Sequence, residues 1–89
     1  MENSAQIEMP KYQCHKQVLA LKIASIEIHE EGSATIAPEE KGYAPFRTDP
    51  GYAERFKGTE EDTGYYVLYP GRYESWSPSK AFEEGYSRI

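Results

Sequence analysis

The stretch GYYVLYPGRYESWSPSKAFEEGY, residues 64–86, constrains the fold more than any other part of the chain. Residues 65–69 place large side chains on both faces of a strand, and Pro70-Gly71 favours a tight turn. The chain then returns through a second strand that ends near Trp76. This order predicts a β-hairpin in which Tyr65, Val67 and Tyr69 share one face.

Two short helices are predicted from a shared pattern of a capping side chain, a proline, an aromatic residue and a glycine. The central helix has a length of about seven residues, which is too short to be stable without packing. The helix-start residues are Thr48 or Asp49 with Pro50, and Ser77 with Pro78, and the helix-end residues are Gly58 and Gly85.

In the apolar run of residues 18–28, the large apolar side chains change from odd-numbered to even-numbered positions. Leu19, Leu21 and Ile23 share one strand face, whereas Ile26 and Ile28 belong to the opposite parity. A strand whose apolar pattern changes parity needs one extra residue, so a bulge is predicted near Ala24-Ser25. A helix over residues 14–25 is the alternative, and residues 13–22 stay open between strand and helix.

The segment after this run predicts a second hairpin. Glu30–Ser33 has turn composition with Gly32 free to take a positive φ, and Ala34–Ala37 is a short return strand that pairs with Ile23–His29.

The fold class is therefore α+β: a small curved antiparallel sheet of about four or five strands with two short helices on one face. Residues 1–9 are interpreted as a flexible leader and residues 10–89 as a single domain. The predicted core residues are Leu21, Ile23, Ile36, Phe56, Val67 and Phe82, and Ala81 is expected to face inward beside Phe82.

The negative net charge of the chain favours some classes of binding partner over others. The net charge is −5, and from Ala24 onward thirteen acidic residues face seven basic ones. A protein that binds a phosphate backbone needs clustered Lys and Arg, so direct binding to nucleic acid is not expected. An acidic face instead suits a basic partner surface, and can imitate nucleic acid toward a nucleic-acid-binding protein. The alternative is a solvated face that confers solubility.

Catalytic and metal-binding signatures are weak in this sequence. Cys14, His15 and His29 are the metal-capable set, and their spacing does not match a four-ligand zinc site. The carboxylates are neighbours in sequence rather than a converging pair, and there is no nucleophile elbow or phosphate-binding glycine loop. We therefore expect a protein that is not an enzyme and that uses no cofactor or metal.

The lone Cys14 excludes an internal disulfide. The sequence has no span of about 20 apolar residues and no signal peptide, so we expect a cytoplasmic protein with no membrane segment.

Two segments of the chain also resemble a group of small, uncharacterised proteins encoded by phage and prophage genomes. The matching segments are KYQCHKQVLALKI, with the pattern K-Y-x-x-H-K-x-V-x-A-x-K-I, and GYYVLYPGRYESWSPSKAFEEGYSRI, an aromatic hairpin followed by S-P-x-x-A-F-E-x-x-Y. The resemblance covers both ends, nearly half of the chain. It implies a phage setting, in the cytoplasm of the host cell, and supplies no catalytic residues.

Three functions fit a phage-borne, acidic, aromatic binding domain. The first is an inhibitor of a host defence protein, such as an anti-CRISPR protein, with the acidic face steering association. The second is a sponge that stacks a signalling nucleotide between aromatic rings and meets its phosphates with basic side chains. The third is an accessory phage protein that self-associates, with a homodimer as its simplest form. The candidate binding residues are Tyr66, Arg72, Tyr73, Trp76, Lys80, Glu60 and Glu61.

Overall fold

The computed structural model describes residues 9–13 and 17–89, in which an antiparallel seven-stranded sheet and two short helices form. In chain order the elements are β1 (Lys11–Gln13), β2 (Gln17–Ile28), β3 (Ala34–Pro38), β4 (Phe46–Arg47), α1 (Tyr52–Arg55), β5 (Tyr65–Tyr69), β6 (Tyr73–Ser77), α2 (Ser79–Gly85) and β7 (Ser87–Arg88). Most of the predicted leader, together with Cys14 and His15, lies outside the described residues. Met9, which the leader prediction included, packs half-buried against the core.

Strand β2 is the longest element, and it pairs with three other strands of the sheet. Its first half pairs with β1 and β5, and its second half pairs with β3. The register shifts between Ile23 and Ser25, which confirms the predicted bulge. The sequence leaves residues 13–22 open between strand and helix, and the described residues of this range are strand: Gln13 ends β1, and Gln17 to Lys22 belong to β2. The side chains of β2 pack on both faces of the sheet.

The sheet has more strands than predicted. The two predicted hairpins are confirmed as β2–β3 and β5–β6, but the expectation of four or five strands is wrong. The additional strands are short: β4 pairs with β3 through two residues, and β7 pairs with β1 through two residues. A two-residue strand has no alternation for a sequence pattern to reveal, because its partner decides its conformation.

The prediction that both helices cover one face of the sheet is also wrong. Two core clusters lie on opposite faces of β5, since neighbouring residues of a strand point to opposite sides. Phe82 of α2 packs in the first cluster, and Tyr52 of α1 packs in the second. The first cluster consists of Val18, Ala20, Tyr65, Val67 and Phe82, and the second of Ile23, Ala34, Ile36, Tyr52 and Tyr66.

The helices begin differently from the predicted caps. The N-cap residue of α2 is Pro78, and Ser77 ends strand β6 with its hydroxyl on the carbonyl of Pro78. A distant residue, Asp62, accepts hydrogen bonds from the Ser79 backbone N–H (3.0 Å) and hydroxyl (2.6 Å) instead. Gly85 is the last residue of α2, as predicted. Neither helix of the described chain is long and apolar enough to cross a membrane.

The central helix is shorter than predicted. Helix α1 has four residues rather than about seven, its N-cap is Gly51, and it ends before Phe56 rather than at Gly58. Thr48 does not cap it, because the Thr48 hydroxyl accepts the Ala34 backbone N–H at 2.9 Å. Thr48 therefore hydrogen-bonds to the first residue of β3 rather than capping α1.

Most of the predicted core is confirmed. Leu21, Ile23, Ile36, Val67 and Phe82 are buried, whereas Phe56 is half-buried and Ala81 is exposed. Ala81 faces solvent because α2 is short and docks through Phe82, which is 1% exposed. Phe82 stacks on Tyr65 at 4.4 Å and on Tyr86 at 4.6 Å between ring centroids, so one side chain anchors the C-terminal segment.

Replacing Phe82 with Ala should lower the free energy of unfolding by about 3–5 kcal/mol, because a buried ring is lost and a cavity remains. Urea unfolding monitored by circular dichroism measures the change. Lys80→Ala on the same helix removes an exposed side chain and should stay within about 0.5 kcal/mol of the native protein. Equal midpoints for the two variants would contradict the anchoring role of Phe82.

Candidate functional site

The seven candidate binding residues do not form one site. Tyr66 and Trp76 pack with the second cluster, inside the molecule. The other five separate to the two ends of the β5–β6 hairpin. Lys80, Glu60 and Glu61 lie at the end where β5 begins, and Arg72 and Tyr73 lie at the turn.

Tyr66 does not present its ring to a ligand, which corrects its proposed role in binding. Its side chain is 3% exposed, and its hydroxyl donates to Glu74 Oε2 at 2.6 Å. The other oxygen of Glu74 accepts the Asp49 backbone N–H at 2.9 Å, so this buried carboxylate joins the sheet to the loop before α1. Burial, and then the hydrogen bond to Glu74, raise the pKa of Tyr66 well above its usual range.

Trp76 is half-buried and held in place by contacts of its ring. The indole Nε1–H donates to the carbonyl of Thr63 at 2.7 Å, and Phe56 meets the ring edge-on at 5.8 Å. Gly64 lies under the indole with φ +76°, where a Cβ atom would come within 2.5 Å of it. Tyr66 and Trp76 are register partners on one face, and both rings pack in the second cluster.

An acidic cleft lies at the end of the hairpin where β5 begins, with a volume of about 550 Å³. Three separate segments bring carboxylates to it: the residue after β3, the loop before β5, and α2. Two lysines also line the cleft. The acidic residues are Glu39, Glu60, Glu61, Asp62 and Glu83, and the lysines are Lys22 and Lys80.

Hydrogen bonds fix two of these carboxylates in place. Asp62 accepts the Gly64 backbone N–H at 3.0 Å in addition to its two bonds from Ser79. The Ser79 hydroxyl, then the Ser79 and Gly64 backbone N–H groups, lower the pKa of Asp62 below its ordinary value. Glu83 Oε2 accepts the Tyr65 hydroxyl at 2.8 Å and lies 3.7 Å from Lys22 Nζ. Glu60 and Glu61 are exposed and remain available to a partner.

A basic groove of about 320 Å³ lies at the opposite end of the hairpin, beside the β5–β6 turn. Among the described residues that line it, Lys11 and Arg72 are charged, and Leu19 and Leu68 are apolar. Neither of the two cationic side chains makes a hydrogen bond or ion pair with another described residue. Arg72 has φ +68°, the left-handed region that favours glycine.

Tyr73 beside this turn is 52% exposed and carries a cation on its ring. The Arg55 guanidinium of α1 lies 4.6 Å from the ring centroid, and Tyr69 lies 6.3 Å away on the other strand. Arg55 did not emerge from the sequence, because it approaches Tyr73 only when α1 docks beside β6. Tyr73 and Arg55 therefore form a second exposed aromatic and basic feature at the turn.

The nucleotide sponge needs rings and cations around a single ligand, but among the candidate binding residues Tyr66 and Trp76 pack in the second cluster, and the two cations lie apart. Lys80 lies in the acidic cleft and Arg72 lies at the turn, with the length of the hairpin between them. No group of three or more His, Cys, Asp or Glu side chains among the described residues could hold a metal ion. His29 pairs with the hydroxyl of Thr35 at 2.7 Å.

The chain matches no protein-family model, no curated protein and no solved structure.

Ser79→Ala should raise the pKa of Asp62 toward its ordinary value of 3.8, because the hydroxyl is the largest influence that lowers it. A carboxyl pKa that is depressed by folding contributes stability above the unfolded-state pKa, and that stability is lost as the pH falls through the folded-state pKa. The variant should therefore lose less stability than the native protein does as the pH falls below about 4. Carboxyl ¹³C NMR titration measures the pKa, and Ser87→Ala, at an exposed site, is the control. An unchanged titration of Asp62 in Ser79→Ala would contradict the capping contact.

Arg72→Gly should raise the free energy of unfolding by about 1 kcal/mol, since glycine adopts the left-handed conformation without the steric cost that arginine bears. Part of the gain is offset by the greater freedom of glycine in the unfolded chain. Urea midpoints at constant m-value measure the change. Arg72→Lys keeps the strained conformation and should leave the midpoint unchanged. A destabilised Arg72→Gly variant would show that the guanidinium itself stabilises the turn.

Proposed function

We propose that this chain is a non-enzymatic binding protein, encoded by a phage or prophage, that inhibits a host defence protein by covering a basic surface of it. The observation that carries the proposal is the acidic cleft. Five carboxylates that are up to 44 positions apart in sequence, from Glu39 to Glu83, converge on one concave surface.

The charge of the cleft favours a basic partner. Among the described residues of the cleft, five carboxylates and two lysines leave an excess of three negative charges, in a protein whose net charge is −5. Complementary charge raises the rate at which two proteins meet and fixes their relative orientation. Since Asp62 and Glu83 are already held by hydrogen bonds, binding would order fewer side chains and would cost less entropy.

The chemistry of such a partner points to proteins that handle nucleic acid. Surfaces that bind a phosphate backbone present clustered Lys and Arg, which a cluster of carboxylates complements. Defence proteins that recognise or cut nucleic acid carry surfaces of this kind, and the phage resemblance of both chain ends supports a setting in the host cytoplasm. In this proposal, an occupied basic surface can no longer bind its nucleic acid.

The double variant Glu60→Lys/Glu61→Lys should abolish binding to the host partner, because it reverses two exposed carboxylates of the cleft that make no hydrogen bond or ion pair with a described residue. The test is affinity capture from host lysate, followed by competition with duplex DNA, which should displace the captured protein. Glu27→Lys/Glu30→Lys makes the same change in net charge at exposed sites outside the cleft and should retain capture.

Two outcomes would contradict the proposal. Capture that survives in Glu60→Lys/Glu61→Lys at 150 mM salt would show that the partner binds elsewhere on the chain. Capture that duplex DNA does not displace would show that the partner surface is not one that binds nucleic acid. Near-native urea midpoints for both double variants establish that charge, rather than folding, decides the result.

A further inference from the structure

We propose that the basic groove at the β5–β6 turn binds an organic anion: a phosphate or carboxylate attached to a flat apolar body. This site is separate from the acidic cleft and carries the opposite charge. The proposal therefore does not depend on the function inferred for the cleft. It rests on the position of two cations, on the apolar surface between them, and on the backbone of Arg72.

Arg72 occupies a position where its backbone is strained. The Arg72 N–H donates to the Tyr69 carbonyl at 3.0 Å across Pro70-Gly71, and both Gly71 and Arg72 have positive φ. A three-residue hairpin loop commonly ends in a left-handed residue, for which glycine is the usual choice. Among the described residues, Arg72 is the one non-glycine with positive φ. Such strain concentrates at functional sites, where the side chain has a use that outweighs the cost.

The two cations face a common apolar surface. Lys11 pairs in register with Leu19, and Leu19 pairs in register with Leu68, so these three side chains share one face of the sheet. Leu19 and Leu68 are half-buried, which leaves part of their surface in the groove. Arg72 bounds the groove at the turn. A flat apolar body can lie against the leucines while its anionic group reaches the guanidinium.

Lys11 and Arg72 make no ion pair or side-chain hydrogen bond within the described part of the chain, in contrast to the other arginines. Arg47 pairs with Glu31 at 3.1 Å, and Arg88 pairs with Glu40 at 3.0 Å. Arg55 lies over the ring of Tyr73. None of the described residues that line the groove is acidic, although the whole chain has 15 Asp and Glu. The groove is therefore a local positive region on an acidic protein, as an anion site requires.

The test uses phenyl phosphate as the probe, followed by amide chemical shifts in ¹⁵N NMR spectra of the full chain. We expect saturable shifts at Leu19, Leu68 and Arg72, with a dissociation constant on the order of millimolar for a ligand of this size. Arg72→Gly should weaken binding at least about tenfold, since it removes the bidentate contact. This variant is expected to be more stable than the native protein, so a loss of binding cannot come from unfolding.

Further variants and ligands distinguish specific binding in the groove from nonspecific electrostatic attraction of an anion to the protein. Lys11→Gln should weaken binding, whereas Lys57→Gln, which makes the same charge change at an exposed site outside the groove, should not. Inorganic phosphate and benzyl alcohol, each of which carries half of the proposed ligand chemistry, should both bind more weakly than phenyl phosphate. The proposal is overturned if phenyl phosphate gives no saturable shifts, if Arg72→Gly binds as the native protein does, or if inorganic phosphate binds equally well.

Discussion

The bulge in β2 is the feature on which the rest of the fold depends. Before the bulge, Leu21 and Ile23 point to the face that carries the second cluster, and after it Ile26 returns to that same face. Without the extra residue, the alternation of the strand would send Ile26 to the opposite side. One twelve-residue strand can therefore pair with β5 at one end and with β3 at the other while it keeps a continuous apolar face.

This arrangement places the β5–β6 hairpin between two small cores, which explains why the hairpin is so rich in aromatic residues. A domain of this size buries a limited fraction of its surface, and large rings supply the buried area efficiently. Tyrosine and tryptophan carry polar atoms that need partners when buried. Tyr52 donates to the Ser75 carbonyl at 3.1 Å, and Tyr65, Tyr66 and Trp76 likewise donate to acceptors within the protein. The rings at the centre of the hairpin are thus engaged in packing, and recognition is left to its two ends.

The sequence predicted those features that are encoded locally. The parity change in β2 and the Pro70-Gly71 turn each lie within a few residues, so a pattern could reveal them. Long-range partners could not be predicted in this way. Asp62 accepts the Ser79 backbone N–H at the start of α2, 17 residues later in the chain. Thr48 does not cap α1, because its hydroxyl accepts the Ala34 backbone N–H. The same limit applies to the candidate site. The sequence shows Glu60 and Glu61 as an acidic pair, but Glu39 and Glu83 join them only through the fold.

The hairpin also determines how the two charged ends of the molecule act on each other. Four residue steps along β5, at about 3.3 Å each, separate the ends by about 13 Å. The Debye length at physiological ionic strength is about 8 Å, so the exposed charges of the cleft and the groove are largely screened from one another. At low salt the negative cleft adds to the potential at the groove and opposes the approach of an anion. Because the two ends are joined by a packed, hydrogen-bonded hairpin rather than by a flexible segment, we expect electrostatics alone to couple them. Occupation of the cleft by a basic partner would therefore favour anion binding at the groove in dilute buffer, and would leave it almost unchanged at 150 mM salt.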